Sequence, residues 1–272
     1  MNAANVIRIG FITSAIALSF FAAQAQTTAT SQTVSKAPVV SNEQKENIEK
    51  IVREYLLSNP EVIRDAMREL DIREQKARME RAAKAMASLK ADIYDDPASP
   101  VVGNPKGDVT VVVFFDYNCG YCKKSLPELQ GLIAKDPMLR VIYKEFPILG
   151  AQSQIAATAA LAAKRQGQYA AFNHALFAAD GAGDAMLKGV ADRLKLNYAK
   201  LQQDMADPQL VAEIERNLKL AEALEINGTP AYIIGDQIIP GAIDIDSLTR
   251  LVIGERSKAA AMHQTEVAAP KK

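Results

Sequence analysis

A chain of 272 residues with 32 basic and 32 acidic side chains carries no net charge at neutral pH, so no global field recruits nucleic acid or an anionic membrane. Its length allows one full domain plus appendages. Only two cysteines are present, too few for a disulfide-stapled scaffold, and the lack of tryptophan beside abundant alanine suits a helix-rich protein.

Residues 1–25 read as an export signal: Arg8 is the positive n-region, Ile9 to Phe21 a short apolar run, and Ala23-Gln24-Ala25 a small-residue cleavage pattern. A membrane anchor would need about 20 apolar residues. No cysteine follows the run, which excludes a lipoprotein anchor. The expected mature chain starts at Gln26, in an exported compartment where disulfides form. Residues 26–40, rich in Ser, Thr and Ala without periodicity, read as a disordered leader.

Ser41 is placed to cap a helix whose apolar stripe is Ile48, Ile51, Val52, Tyr55 and Leu56. Asn59-Pro60 restarts the pattern, since Asn caps well and Pro suits a first helical position. From Pro60 to about Lys90 one long, charged helix is predicted. Ile63, Met67 and Leu70 form one stripe, Met79, Ala82, Met86 and Leu89 another, and the wholly polar Arg73-Glu74-Gln75-Lys76 separates them. Such an arm, residues 41–94, cannot bury its apolar face on itself. It either folds back on its own domain or associates with other copies. Association, with Ile48 to Leu70 as the main contact, is the preferred reading.

Asp95-Asp96-Pro97 ends the arm, and residues 95–255 are read as the main domain. Ser99 to Val102 has the look of a short edge strand, and Gly103 to Gly107 is a turn cluster. Val109 to Phe115 is a buried central strand. The following helix carries Leu126, Leu129, Leu132 and Ile133, with Pro127 as an expected kink. Leu139 to Phe146 is the next strand. Residues from 151 to about 226 hold only helical patterns, a subdomain inserted between strands. Ala231 to Ile234, a Gly235-Asp236 turn and Gln237 to Ile239 form a hairpin. Asp246 is expected to cap a last helix to about Ile253, and residues 256–272 to be a flexible tail.

The chemistry concentrates where the central strand ends, in Cys119-Gly120-Tyr121-Cys122. A Cys-x-x-Cys at a strand-to-helix junction reads as a redox pair. Cys119, at the helix N-terminus, is the expected attacking thiolate, and Cys122, one turn on, the resolving thiol. Zinc would want about four ligands, and the chain offers two Cys and two scattered His. A static disulfide closing so short a loop would constrain little of the unfolded chain. A Cu(I) site on the two thiolates of Cys119 and Cys122 stays open as a minor alternative. His174, on an alanine-rich helix, is read as a partly buried structural residue, and His263 as part of the tail.

Strand, CGYC motif, inserted helices and Gly228-Thr229-Pro230 before a hairpin together resemble the thioredoxin-like fold of the DsbA family. The arm segment VREYLLSNPEVIRDAMREL, with FFDYNCGYCKK and KEFPILG, is similar to its ScsC group, associated with copper sensitivity, over roughly residues 43–255. The resemblance implies an α/β, thioredoxin-like fold with a helical insertion and an N-terminal oligomerisation arm. It implies a cis Pro230 facing the cysteines, with Thr229 offering backbone hydrogen bonds to a client strand. A periplasmic protein thiol–disulfide oxidoreductase follows, with no cofactor beyond the cysteine pair. Its implied partners are exported clients, a membrane electron donor of the DsbD or ScsB type, and further copies of itself, by resemblance a trimer.

Gly120 and Tyr121 modulate the pair. Strongly oxidising DsbA proteins carry a His where this chain has Tyr121, which cannot stabilise a thiolate as well. A less oxidising couple is therefore expected, and disulfide isomerases of the DsbC type also carry CGYC with Thr before the cis-Pro. The favoured activity is isomerase or reductase, with a monomeric dithiol oxidase as the alternative. One departure stands out: the buried acid that thioredoxin and DsbA place six residues before the first cysteine is here Val113. Asp116 and Glu145 are candidate proton-relay substitutes, a solvated loop acid being the plainer reading of Asp116. A local Lys144–Glu145 charge pair is a further open reading.

Overall fold

The structure is a computed structural model that describes residues 41–268 apart from residue 180, with side chains through Ala261. The expected signal and leader, and the side chain of His263, lie outside the described residues. The described residues divide into two units, one ending at Val62 and the other beginning at Ile63.

In the first unit, helix α1 (Asn42–Ser58) starts with a reciprocal capping box. The Ser41 hydroxyl accepts from the Gln44 N–H, and the Gln44 side chain accepts from the Ser41 N–H at 3.0 Å. Asn59 closes the helix, its backbone and side-chain N–H groups both donating to the Tyr55 carbonyl. Ile48, Ile51, Val52, Tyr55 and Leu57 are exposed, and no residue of α1 is buried.

Helix α2 (Glu61–Ser88) lies almost wholly in the second unit. Its two stripes have different fates. Ile63, Met67 and Leu70 are exposed, whereas Met86 is buried and Ala85 and Leu89 pack against the same cluster. Helix α3 (Lys90–Tyr94) adds the fully buried Ile93. For the Met86 and Leu89 end of the second stripe, folding back is thus what the chain does, while Met79 stays exposed.

The sheet has five strands in the order β1-β3-β2-β4-β5. Strand β2 (Val109–Phe115) is central, parallel to β3 (Leu139–Glu145) and antiparallel to β4 (Ala231–Ile234). The edges are β1 (Val101–Gly103) and β5 (Gln237–Pro240). Gly103, at φ +81°, ends β1 where a Cβ would meet the Leu139 carbonyl oxygen at 2.5 Å. Val111, Val113 and Phe115 face one apolar cluster with Leu126, Leu129 and Leu132 of α4 (Gly120–Lys135). Val112 and Phe114, on the opposite face, pack with Met86 and Ile93.

Five helices separate β3 from β4: α5 (Ala151–Lys164), α6 (Tyr169–Phe177), α7 (Asp184–Arg193), α8 (Tyr198–Met205) and α9 (Pro208–Ala223). Every residue of α5 from Ala156 to Ala163 is buried, and alanine suits a helix packed closely on several sides. The last helix, α10 (Ile245–Ala268), corrects the expected end of the chain. Asp244, not Asp246, caps it, accepting from the Ser247 N–H at 2.7 Å. Residues 256–268 continue the helix instead of forming a tail. Arg256 donates two hydrogen bonds to Asp108, at 2.7 and 2.8 Å, and a third to Asp136 at 2.9 Å. Partners that distant leave no mark on the local pattern from which a tail was expected.

Lys144 and Glu145 form no pair with each other, because neighbouring strand residues point to opposite faces. The Lys144 ammonium is buried and donates to the Asp92 carbonyl at 2.7 Å, the Ser99 hydroxyl at 2.7 Å and the Asp96 carboxylate at 3.3 Å. Glu213 of α9 is also buried and leaves Oε1 without a hydrogen-bond partner. Burial pushes its carboxyl up to about 7 from 4.5, against the pull of Lys164. Between those values the native chain holds a proton that the unfolded chain has lost, so stability from this group falls as pH rises through about 7. Glu213→Gln should therefore raise the urea-unfolding free energy at pH 8 by about 1–2 kcal/mol and leave it nearly unchanged at pH 5. An equal effect at both pH values would refute this.

Candidate active site

Strand β2 delivers the motif. Past Phe115 the chain turns, the Cys119 N–H bonds to the Asp116 carbonyl at 3.1 Å, and α4 begins with Cys119 as its N-cap residue. The two thiols are free and unequal: Cys119 is 6% exposed and Cys122 0%. Burial pushes the Cys122 thiol far up, only partly offset by hydrogen bonds from the Asp116 backbone and the Thr229 side chain.

Across from the motif the Thr229–Pro230 peptide is cis, and Pro230 is buried. The Cys119 thiol donates to the Thr229 carbonyl at 3.2 Å. Cys119, Cys122, Thr229 and Pro230 thus meet at one place. Gly120 is exposed with open space where a Cβ would stand. Tyr121 is 66% exposed, with the Lys124 ammonium 6.0 Å from its ring centre.

Asp116 is no solvated loop acid. It is buried, and its carboxylate accepts from the Asn118 N–H at 2.8 Å, the Ser153 hydroxyl at 2.7 Å and the Leu149 N–H at 2.9 Å. Asn118 adds a bond from its side-chain amide to Ser153 at 2.9 Å. These bonds tie the loop before the motif to the start of α5 and to the turn after β3. Glu145 is more deeply enclosed. Its Oε1 accepts from the Tyr117 hydroxyl at 2.9 Å and the Tyr169 hydroxyl at 2.7 Å, Asn173 donates to Tyr117 at 3.0 Å, and Oε2 has no partner. Burial holds the Glu145 carboxyl well above the usual carboxylate range, against the two tyrosine hydrogen bonds that pull it down. His174 is exposed, not partly buried, because α6 turns Phe172 and Asn173 inward instead.

Sequence reasoning missed the hydroxyls beneath the motif. Tyr232 is the β4 partner of Val113 and donates to Ser125 at 3.0 Å. Burial first, then the nearness of Cys122, raises the Tyr232 phenol to about 12. Ser125 follows Cys122 by three residues and so shares its helix face, the one signal that could have marked it. Geometrically, one sulfur can meet an outside partner and the other can meet only the first.

The DSBA-like thioredoxin domain family matches residues 110–252. The chain belongs to that family. The copper resistance protein ScsC N-terminal domain matches residues 44–77, so this is a DsbA-family protein of the ScsC-like kind. A linker-deletion variant of Proteus mirabilis ScsC is 30% identical, covering 82% of this chain and 100% of that one, with a TM-score of 0.62. A thioredoxin-like oxidoreductase from Silicibacter pomeroyi is 43% identical, covering 61% of this chain and 97% of that one, with a TM-score of 0.59. A periplasmic thioredoxin-like protein from Salmonella enterica serovar Typhimurium is 34% identical, covering 62% of this chain and 96% of that one, with a TM-score of 0.58. Among curated relatives, Na(+)/H(+) antiporter NhaA 1 of Salinispora arenicola is 28% identical over 181 residues, 63% of this chain. The chain spans only 28% of that protein's length. Among the described residues of this DsbA-family chain, no helix is long and apolar enough to cross a membrane.

Alkylation should report the inequality of the thiols. At pH 8, iodoacetamide should add one group to the reduced protein, at Cys119, while Cys122 reacts at least about a hundredfold more slowly. Comparable labelling of both, read by peptide mass spectrometry, would show that Cys122 is not shielded.

Proposed function

We propose that this protein is a periplasmic disulfide isomerase and reductase, exported by its N-terminal signal and working as a homo-oligomer. The observation that carries the choice of isomerase over oxidase is the pair of exposed apolar rows, one on α1 and one on the first half of α2. Ile48, Ile51, Val52 and Tyr55, then Ile63, Met67 and Leu70, remain open to solvent in a single copy. Rows of this kind are covered in solution by other chains. The ScsC-like arm is compatible with three copies.

In the proposed cycle the Cys119 thiolate attacks a client disulfide, forming a Cys119–client disulfide and expelling one client thiolate. Isomerisation follows when that thiolate attacks a different client disulfide and another client thiol releases Cys119. Reduction follows when the Cys122 sulfur attacks the Cys119 sulfur, its proton passing to the departing second client thiolate, and leaves a Cys119–Cys122 disulfide. A membrane dithiol donor of the DsbD or ScsB type returns two electrons to that disulfide. The pair needs no other cofactor. Thr229 and Pro230 align the client chain, and Gly120 and Tyr121 leave the approach open, with Tyr121 keeping the couple less oxidising than a histidine would. Asp116 acts as the clamp of the motif loop. Neither its carboxylate nor that of Glu145 has a hydrogen-bonded path to a sulfur among the described residues, so we assign no relay to either.

Recovery of activity from a scrambled-disulfide test protein is the test, run with the full mature chain and with Met67→Glu/Leu70→Glu. The parent should be oligomeric by light scattering and rescue the substrate. The double variant should be smaller and lose roughly tenfold in rescue, because a lone subunit cannot hold the client for repeated attack. Poor rescue by both, with fast oxidation of a reduced client by the disulfide form, would make the protein an oxidase instead.

A further inference from the structure

The C-terminal half of α2 does more than fill the core. Arg81 of α2 bonds to the Glu225 carboxylate at 2.6 Å, and Glu225, at φ 58°, sits in the segment between α9 and the cis-proline. Met86 is buried in the same cluster as Leu224, Ile226, Ala231 and Ile233. The arm helix is therefore seated on the stretch of chain that carries Thr229 and Pro230. Between them runs an open groove of about 300 Å³. Met79 and Ala82 form one wall, Ile226 and Ile238 the other, and Pro230 and Pro240 contribute too, with Arg78 and Glu225 also lining it.

This groove adjoins the exchange site through the Thr229 segment. It includes Gly228 and Thr229, and the Thr229 carbonyl lies 3.2 Å from the Cys119 sulfur. A client bound through its cysteine to Cys119 must pass along Thr229, and the residues flanking that cysteine come next to the groove. We propose that the groove receives an apolar side chain flanking the client cysteine, so that α2 forms a wall of the client site in its own subunit. The occupant is an extended, apolar segment of client polypeptide. This rests on the exchange activity at Cys119 but not on the choice between isomerase and oxidase. The arm then has two separable duties: its first stripe for association, and Met79 with Ala82 for client grip.

The test uses the full chain carrying Cys122→Ser, which should hold a client as a mixed disulfide on Cys119. The client is a peptide with one cysteine, activated as a mixed disulfide, flanked by leucines and a photoreactive benzoylphenylalanine. After illumination, crosslinks should map to residues 78–82 and 226–230. Crosslinks confined to Ile148 and Leu149, an exposed apolar pair elsewhere around the motif, would overturn the groove. Failure to form any mixed disulfide would instead count against Cys119 as the attacking thiol. In the wild-type background, Met79→Glu changes an exposed residue. It should raise KM for the leucine-flanked peptide roughly tenfold, with unchanged kcat, unchanged rate toward a small thiol and unchanged mass in solution. An unchanged KM, or an equal loss with the small thiol, would also overturn the proposal.

Discussion

The functional end of this molecule depends on one contact, the Cys119 thiol against the Thr229 carbonyl, which joins residues 110 apart in sequence. It requires β2 and β4 to be neighbours, so that the loop after one and the loop before the other open at the same end of the sheet. It also requires the five inserted helices to leave and return without separating those strands. Once it forms, Cys122 is sealed beneath, among Val113, Ser125 and Tyr232, and the two thiols become chemically different. That difference is what thiol–disulfide exchange needs.

Around this contact the protein spends polar groups on position. Asp116 and Asn118 fix the motif loop through side-chain bonds to Ser153 and the Leu149 backbone. Glu145, two tyrosines and an asparagine form a buried network behind it, and Lys144 forms another on the opposite face with Asp92, Asp96 and Ser99. A buried ion is costly unless hydrogen-bonded. Lys144 meets that cost by donating to three oxygens, and Glu145 accepts from two tyrosine hydroxyls while burial drives its carboxyl toward the neutral form. Such networks favour one arrangement over near alternatives, which suits a site whose sulfurs must meet within a bond length.

The long helix of the arm shows how one element can serve two surfaces. Its polar middle, Arg73 to Lys76, divides an exposed apolar row from a docked one. The docked half joins the catalytic unit through Met86 and, just beyond, Ile93. On the proposed reading, an arm of this kind would couple client handling to assembly without any further element.

The elements of regular structure were legible in the sequence because each has a local cause. Val109 to Phe115 is too β-branched and aromatic to be anything but a strand, Ser41 and Asn59-Pro60 punctuate the helices, and Cys119 to Cys122 declares the chemistry by spacing alone. What the tertiary structure decided are the matters of facing and partnership. Which stripe of α2 docks, that Asp116 is enclosed and His174 is not, that Lys144 and Glu145 part company, and that Arg256 holds the last helix to Asp108 all depend on residues far away in the chain. Tyr232 and Ser125 beneath Cys122 were hidden for the same reason. Local pattern fixes the period of an element, but burial and ionisation are set by what another element brings against it.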